Sequence, residues 1–328
     1  MDVIGKGPGR KGSVWVACRV PDGYITAHAN QPRIGTFPLD DPDNWLYAED
    51  VIDFAVEKGY FDPAAGEPFS FKHVYDPPSP YALRVCAGRI WSVYRRAAPS
   101  QEFSPDYYRG VEGVEDYPLF IKPDEKLSVR DVMALMRDHF EGTPWDMTQG
   151  IDAGPFGSPY RWRDLKWKVD DVEYCWERPI SSQQAGFVMV GQSRGWLPDM
   201  IGGIYWFTPD DCYTTCFAPF YAGIDRLPHA FTVGDVDRFS WDSAWWVYNF
   251  VSNLTYNTYS RIMPDVAAVQ QEEEDALFAM QPAVEKTALQ LHEKDPELAR
   301  RYLTNYSVST AEGLLERWHE LGEFILTK

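Results

Sequence analysis

"GPGRKGSVWVACRV", residues 7–20, holds Gly7, Gly9 and Gly12 in the order G-x-G-x-x-G, and its reading separates two classes of fold. A dinucleotide-binding fingerprint needs a strand before the glycines and a helix after them, because the helix N-terminus holds the pyrophosphate. Here only "DVI" precedes the glycines, and "SVWVACRV", β-branched and aromatic, follows with strand character. The pattern is therefore that of a glycine- and lysine-rich turn between two strands. Such a turn needs no ligand and argues against a doubly wound nucleotide-binding domain.

Composition narrows the class further. The 328 residues are enough for one large domain or two ordinary ones, and 45% hydrophobic with 15% aromatic residues describes a folded chain. A formal net charge of −18 repels phosphate backbones, so no nucleic-acid partner is expected. No run of about 18 apolar residues predicts a membrane span. The N-terminus lacks the basic and apolar regions of a signal peptide. Localisation is left open between the cytoplasm and the periplasm or exterior. The five cysteines, at 18, 86, 175, 212 and 216, form no paired framework. Cys212 and Cys216 read as buried apolar thiols, and no metal or cofactor is expected.

Along the chain, Ser13 to Val20 and then "GYITAHANQ" read as strands. A helix is expected from about Ala48 to Gly59, and a second over "YALRVCAGRIWSVYRRAA". "SVRDVMALMRDHFEGTP" predicts a helix capped by Ser128 with Asp131 completing a capping box. From 171 to 233 strands dominate, as nearly continuous apolar runs. After Ser240 the pattern is helical, with Ser309 and Glu312 reading as a further capping box. The expected architecture is α+β, with residues 1–235 as core and 236–328 as a helical extension packed on it.

Chemistry is faint when residues are taken singly. No H-E-x-x-H and no G-x-S-x-G is present, and His28 reads as a hydrogen-bonded structural residue. Asp210–Asp211, with the abundant tryptophans, admits a glycosidase reading, but acids in turns are ordinarily solvated turn formers. In "TAHANQPRI", Asn30 would project its amide from a strand end and can serve as an oxyanion donor, or simply cap a turn before Pro32. Arg89, inside the apolar "VCAGRIWSVY", needs an acceptor if it is buried; otherwise it lies on the exposed back of the helix.

Seven ordered segments carry a family resemblance: "VPDGYITAHANQPRI", "DDPDNWLYAEDVIDFA", "RIWSVYRRAAPS", "LSVRDVMALMRDHFEGTPWDMT", "QQAGFVMVGQSRGWLPDMIGGIYWF", "TTCFAPFYAGI" and "FSWDSAWWVYNFVSN". Together they resemble the bacterial cysteine dipeptidases of the dipeptidase A type, within the N-terminal-nucleophile hydrolases. The resemblance implies a four-layer αββα sandwich, incomplete here, and a dipeptide substrate. It also implies an N-terminal cysteine nucleophile whose own amine acts as base. On matching positions it implies that Asn30 stabilises the tetrahedral intermediate and that Arg89 organises the nucleophile's surroundings. The chain begins "MDVIGKG" with no cysteine nearby. It is therefore expected to be the C-terminal portion of a dipeptidase, inactive alone. The alternative is a non-catalytic binding or assembly module, in which the aromatic stretch near Trp241, Trp245 and Trp246 serves a homo-oligomer.

Overall fold

The computed structural model describes residues 1–160 and 166–328. It is a mixture of helices and small antiparallel sheets, grouped into two compact units. One unit comprises residues 1–127 with 163–179; the other comprises 128–162 with 180–328.

The first unit begins as the glycine pattern requires. Strands β1 (Asp2–Gly5) and β2 (Ser13–Cys18) pair antiparallel with Asp2 opposite Val16 and Gly5 opposite Ser13. Gly7, Gly9 and Gly12 in the connection have φ of 86°, 81° and 94°. L-residues with a Cβ avoid that region, so the glycines are there for backbone geometry. The chain leaves the turn as a strand, with no helix N-terminus to receive a phosphate. β3 (Trp45–Tyr47) completes the sheet on the other side of β2. Alternation along β2 buries Val14 and Val16, which join Ile34, Val51, Phe54 and Phe71 in one core. "GYITAHANQ" differs from expectation. It forms no strand; Ile25 makes an isolated bridge to Ile121. Helix α1 (Gly88–Ala97) follows directly on a π-helical segment, Leu83–Ala87, whose Val85, Cys86 and Ala87 are buried. Strands β4 (Lys166–Val169) and β5 (Val172–Cys175) form a separate hairpin.

The second unit is built on strands β6 (Phe187–Ser193), β7 (Gly203–Pro209) and β8 (Ala218–Tyr221), in that order and antiparallel throughout. Ile204 and Trp206 on β7 enter a core shared with helices α3 (Ala244–Asn257), α4 (Tyr259–Lys294) and α5 (Pro296–Ile325). Helix α2 (Val129–Met136) starts at the expected capping box: Ser128 accepts from the Asp131 amide, and the Asp131 carboxylate accepts from the Ser128 amide. It is shorter than the apolar stripe implied: it ends at Met136, and Phe140 lies beyond it in the left-handed region at φ 63°. The capping box expected at Ser309 does not form. Ser309 lies inside α5, which instead starts at Asp295, whose side chain accepts from the Glu297 amide, with Pro296 in the first turn. The Ser309 hydroxyl bonds back to the Asn305 carbonyl at 2.7 Å, as a serine in a helix interior does.

Candidate functional site

The loop after Ile25 places the first candidate. Asn30 has φ 57°, a left-handed conformation that asparagine tolerates better than most residues. Arg89, one residue into α1, reaches this loop although 59 positions separate it from Asn30. Its Nη2 donates to Asn30 Oδ1 at 3.0 Å and lies 3.4 Å from the Ala29 carbonyl, while Nε donates to the Val85 carbonyl at 2.8 Å. Both residues expected at the site are therefore in direct contact.

The contact has a chemical consequence. A guanidinium has donors and no acceptor, so the amide must turn its oxygen toward Arg89 and its NH2 group away. Among the described residues Asn30 Nδ2 has no hydrogen-bond partner. Two N–H donors are thus presented in a fixed direction beside a cation. Burial pushes the Arg89 pKa down from its ordinary value, with Cys86 opposing and Arg178 reinforcing that shift. Cys86 is itself buried, its Sγ 3.8 Å from Arg89 Nη2. Burial raises its thiol pKa despite the nearby Arg89 and Arg178, so it stays protonated at neutral pH and is a poor nucleophile.

The same loop is held from its other side by residues that the sequence did not single out for a role in the site. Asp2, on the core-facing side of β1, accepts from the Arg33 amide at 2.8 Å and the Ile34 amide at 2.7 Å, both through Oδ2. Its Oδ1 faces His28 Nδ1 at 3.2 Å. Burial raises the Asp2 carboxyl, but the bonds from His28, Ile34 and Arg33 outweigh it, and the net pKa lies below the ordinary value. Arg33 in turn donates from Nη2 to the carbonyls of Tyr117 and Pro118 at 2.6 and 2.8 Å. The available sequence signal was an acid in phase with the buried Val14 and Val16 of the paired strand, visible only once the register is known.

Other candidates resolve differently. Asp210 and Asp211 are each 1% exposed, so they are neither solvated turn formers nor carboxylates across an open groove. Asp211 accepts from Ser181 at 2.7 Å, from the Tyr213 amide at 3.1 Å and from the hydroxyls of Tyr160 and Tyr256. Its acceptor capacity is taken up by the fold. Cys212 and Cys216 are buried, and burial raises both thiols. Among the described residues no group of His, Cys, Asp and Glu is placed to hold a metal ion, and no helix is long and apolar enough to cross a membrane.

The sequence model of Peptidase family C69 matches residues 1–272. A probable dipeptidase of Salmonella dublin is 26% identical over 227 residues, 69% of this chain and 46% of that protein. Dipeptidase A of Lactobacillus helveticus is 23% identical over 248 residues, 76% of this chain and 46% of its own length. A probable dipeptidase A of Streptococcus pyogenes serotype M3 is 22% identical over 312 residues, 93% of this chain and 60% of the relative. The chain thus spans about half the length of the curated relatives it matches first. With the family model covering most of the chain and the ordered motifs falling within it, the chain belongs to peptidase family C69.

Proposed function

We propose that this chain supplies the oxyanion donor of a cysteine-type dipeptidase, with Asn30 donating Nδ2 to the tetrahedral oxyanion and Arg89 fixing the direction of that amide. The observation that carries the reading is the 3.0 Å bond from Arg89 to Asn30 Oδ1, which leaves the Asn30 NH2 group as a preoriented donor. Family membership and relatives named dipeptidases support dipeptides as substrate. The fold in this reading is the αββα sandwich of N-terminal-nucleophile hydrolases.

The attacking sulfur in this reading is none of the five cysteines. Cys86 comes nearest to Arg89, but its raised thiol is unsuited to attack at neutral pH. A terminal cysteine would instead use its own α-amine, whose pKa of about 8 suits it to take the thiol proton. The thiolate would attack the peptide carbonyl and form a C–S bond. The oxyanion would be held by Asn30 Nδ2, and the leaving amine would take up the proton as the C–N bond breaks. Water would then hydrolyse the thioester and free the sulfur.

The test is hydrolysis of a dipeptide panel by the 328-residue chain and by the same chain extended with a segment presenting a free N-terminal cysteine. The unextended chain should be inactive, and the extended one active. Asn30→Ala should lower kcat by about 100-fold with KM little changed, the size of effect seen when a single oxyanion donor is removed. Turnover by the unextended chain, or full activity in Asn30→Ala, would overturn the reading.

A further inference from the structure

The direction of an oxyanion donor is only as good as the backbone that carries it. Asn30 sits in a left-handed conformation, which costs energy unless its surroundings impose it. Arg89 imposes it from one side. On the other side one carboxylate makes three ties to residues 28–34: Oδ1 to the His28 ring at 3.2 Å, and Oδ2 to the Arg33 and Ile34 amides at 2.8 and 2.7 Å. His28 lies two residues before Asn30 and Arg33 three after, so the carboxylate brackets Asn30. The loop cannot drift away from it, because Arg33 is anchored to the Tyr117 and Pro118 carbonyls and Ile25 is bridged to Ile121. A polar acid spends a core-facing strand position on this, 5% exposed and opposite Val16. A site used only for packing would favour an apolar residue there.

We propose that Asp2 is a positioning residue for the Asn30 amide, acting through His28 and the Arg33 and Ile34 amides rather than by touching substrate. The proposal rests on the assignment of Asn30 as oxyanion donor. An asparagine at position 2 can keep its oxygen on the two amides and turn its NH2 group to the His28 ring, so Asp2→Asn should preserve much of the arrangement. Asp2→Ala removes all three ties, and His28→Ala removes one.

Amide hydrogen exchange in the 328-residue chain reads the loop directly. Arg33 and Ile34 should exchange at least tenfold faster in Asp2→Ala and within threefold of the parent in Asp2→Asn, with β2 protection unchanged. In the extended, active form, Asp2→Ala should lower kcat 10- to 100-fold with KM within threefold, and His28→Ala should do so less. Neither should lower kcat further in an Asn30→Ala background, because both act through that amide. Losses that multiply with Asn30→Ala, in Asp2→Ala or in His28→Ala if the former fails to fold, overturn the proposal. So does unchanged exchange at Arg33 and Ile34. An extended parent without dipeptidase activity would instead refute the functional assignment, while the exchange result still decides whether Asp2 holds the loop.

Discussion

At the scale of single residues, the Asn30–Arg89 contact turns on the planarity of the guanidinium. Arg89 bonds the Val85 carbonyl through Nε and Asn30 through Nη2 at once. A lysine carries a point charge on a flexible stem and cannot span both acceptors in fixed geometry. Arg89→Lys should therefore leave the fold intact, yet lower kcat/KM of the extended form by about 10- to 100-fold, a partial loss of the oxyanion donor's worth. Steady-state kinetics on a dipeptide checks this, and parent-like values would show that charge alone suffices. Asn30 and Arg89 were legible as candidates because family motifs surround both. Local pattern favoured a turn cap for Asn30 and left an exposed position open for Arg89. Asp2 was not legible, since its role depends on which face of β1 meets the core and on a loop some thirty residues away.

At the scale of elements, local signals were honoured where packing agreed with them. Ser128 caps α2 as its spacing predicts, and replacing it by alanine should cost about 1 kcal/mol. For a unit of this size that is a fall in melting temperature of roughly 2–4 °C. Ser309 has the same spacing signal but lies exposed within α5, so Ser309→Ala should stay within about 0.5 kcal/mol of the parent. Thermal denaturation of the two variants tests the contrast. A large loss at 309 would mean that the cap, rather than the helix interior, is the working description. The long helices override local breakers too. Pro264 and Pro282 both lie inside α4, where each removes a backbone bond. Packing of α4 on α5, with Val266, Leu277, Val284 and Ala288 buried, outweighs that cost.

At the scale of the whole molecule, the consequences lie in buried charge. Glu274 on α4 forms a bidentate pair with Arg137, at 2.6 and 3.0 Å, and Arg137 also donates to the Cys212 carbonyl at 2.7 Å. The loop between β7 and β8 is thus tied to α4. Glu274→Ala leaves a nearly buried guanidinium without its counter-charge and should cost about 3–5 kcal/mol in chemical denaturation. A loss below 1 kcal/mol would show that water replaces the partner.

Asp210 titrates in the opposite sense from a paired surface acid. Burial pushes its pKa up to about 7, with Asp211 adding to the rise and Asn249 and Ser252 only partly offsetting it. Its folded value is above its unfolded one, so its contribution is complete below about pH 4 and is lost as pH rises through about 7. Stability should fall between pH 5 and pH 8 by an amount on the order of 2–4 kcal/mol. Asp210→Asn, suited to the φ of 62° at this position, should flatten that slope. An unchanged slope in the variant would assign it to other groups.

By itself the sequence determined the local geometry: a glycine hairpin rather than a phosphate loop, the cap of α2, the strands from 187 to 221 and the helices after 244. Each is set by backbone sterics or by apolar periodicity within a few residues, so neighbours in sequence suffice to read it. Only the tertiary structure decided that "GYITAHANQ" is an irregular loop, that Arg89 faces it, and that Asp2 ties it down. Those outcomes depend on hydrogen bonds between positions 31 to 59 apart and on strand register, which no local propensity encodes. The candidate site owes its residues to the motifs and its aim to the fold.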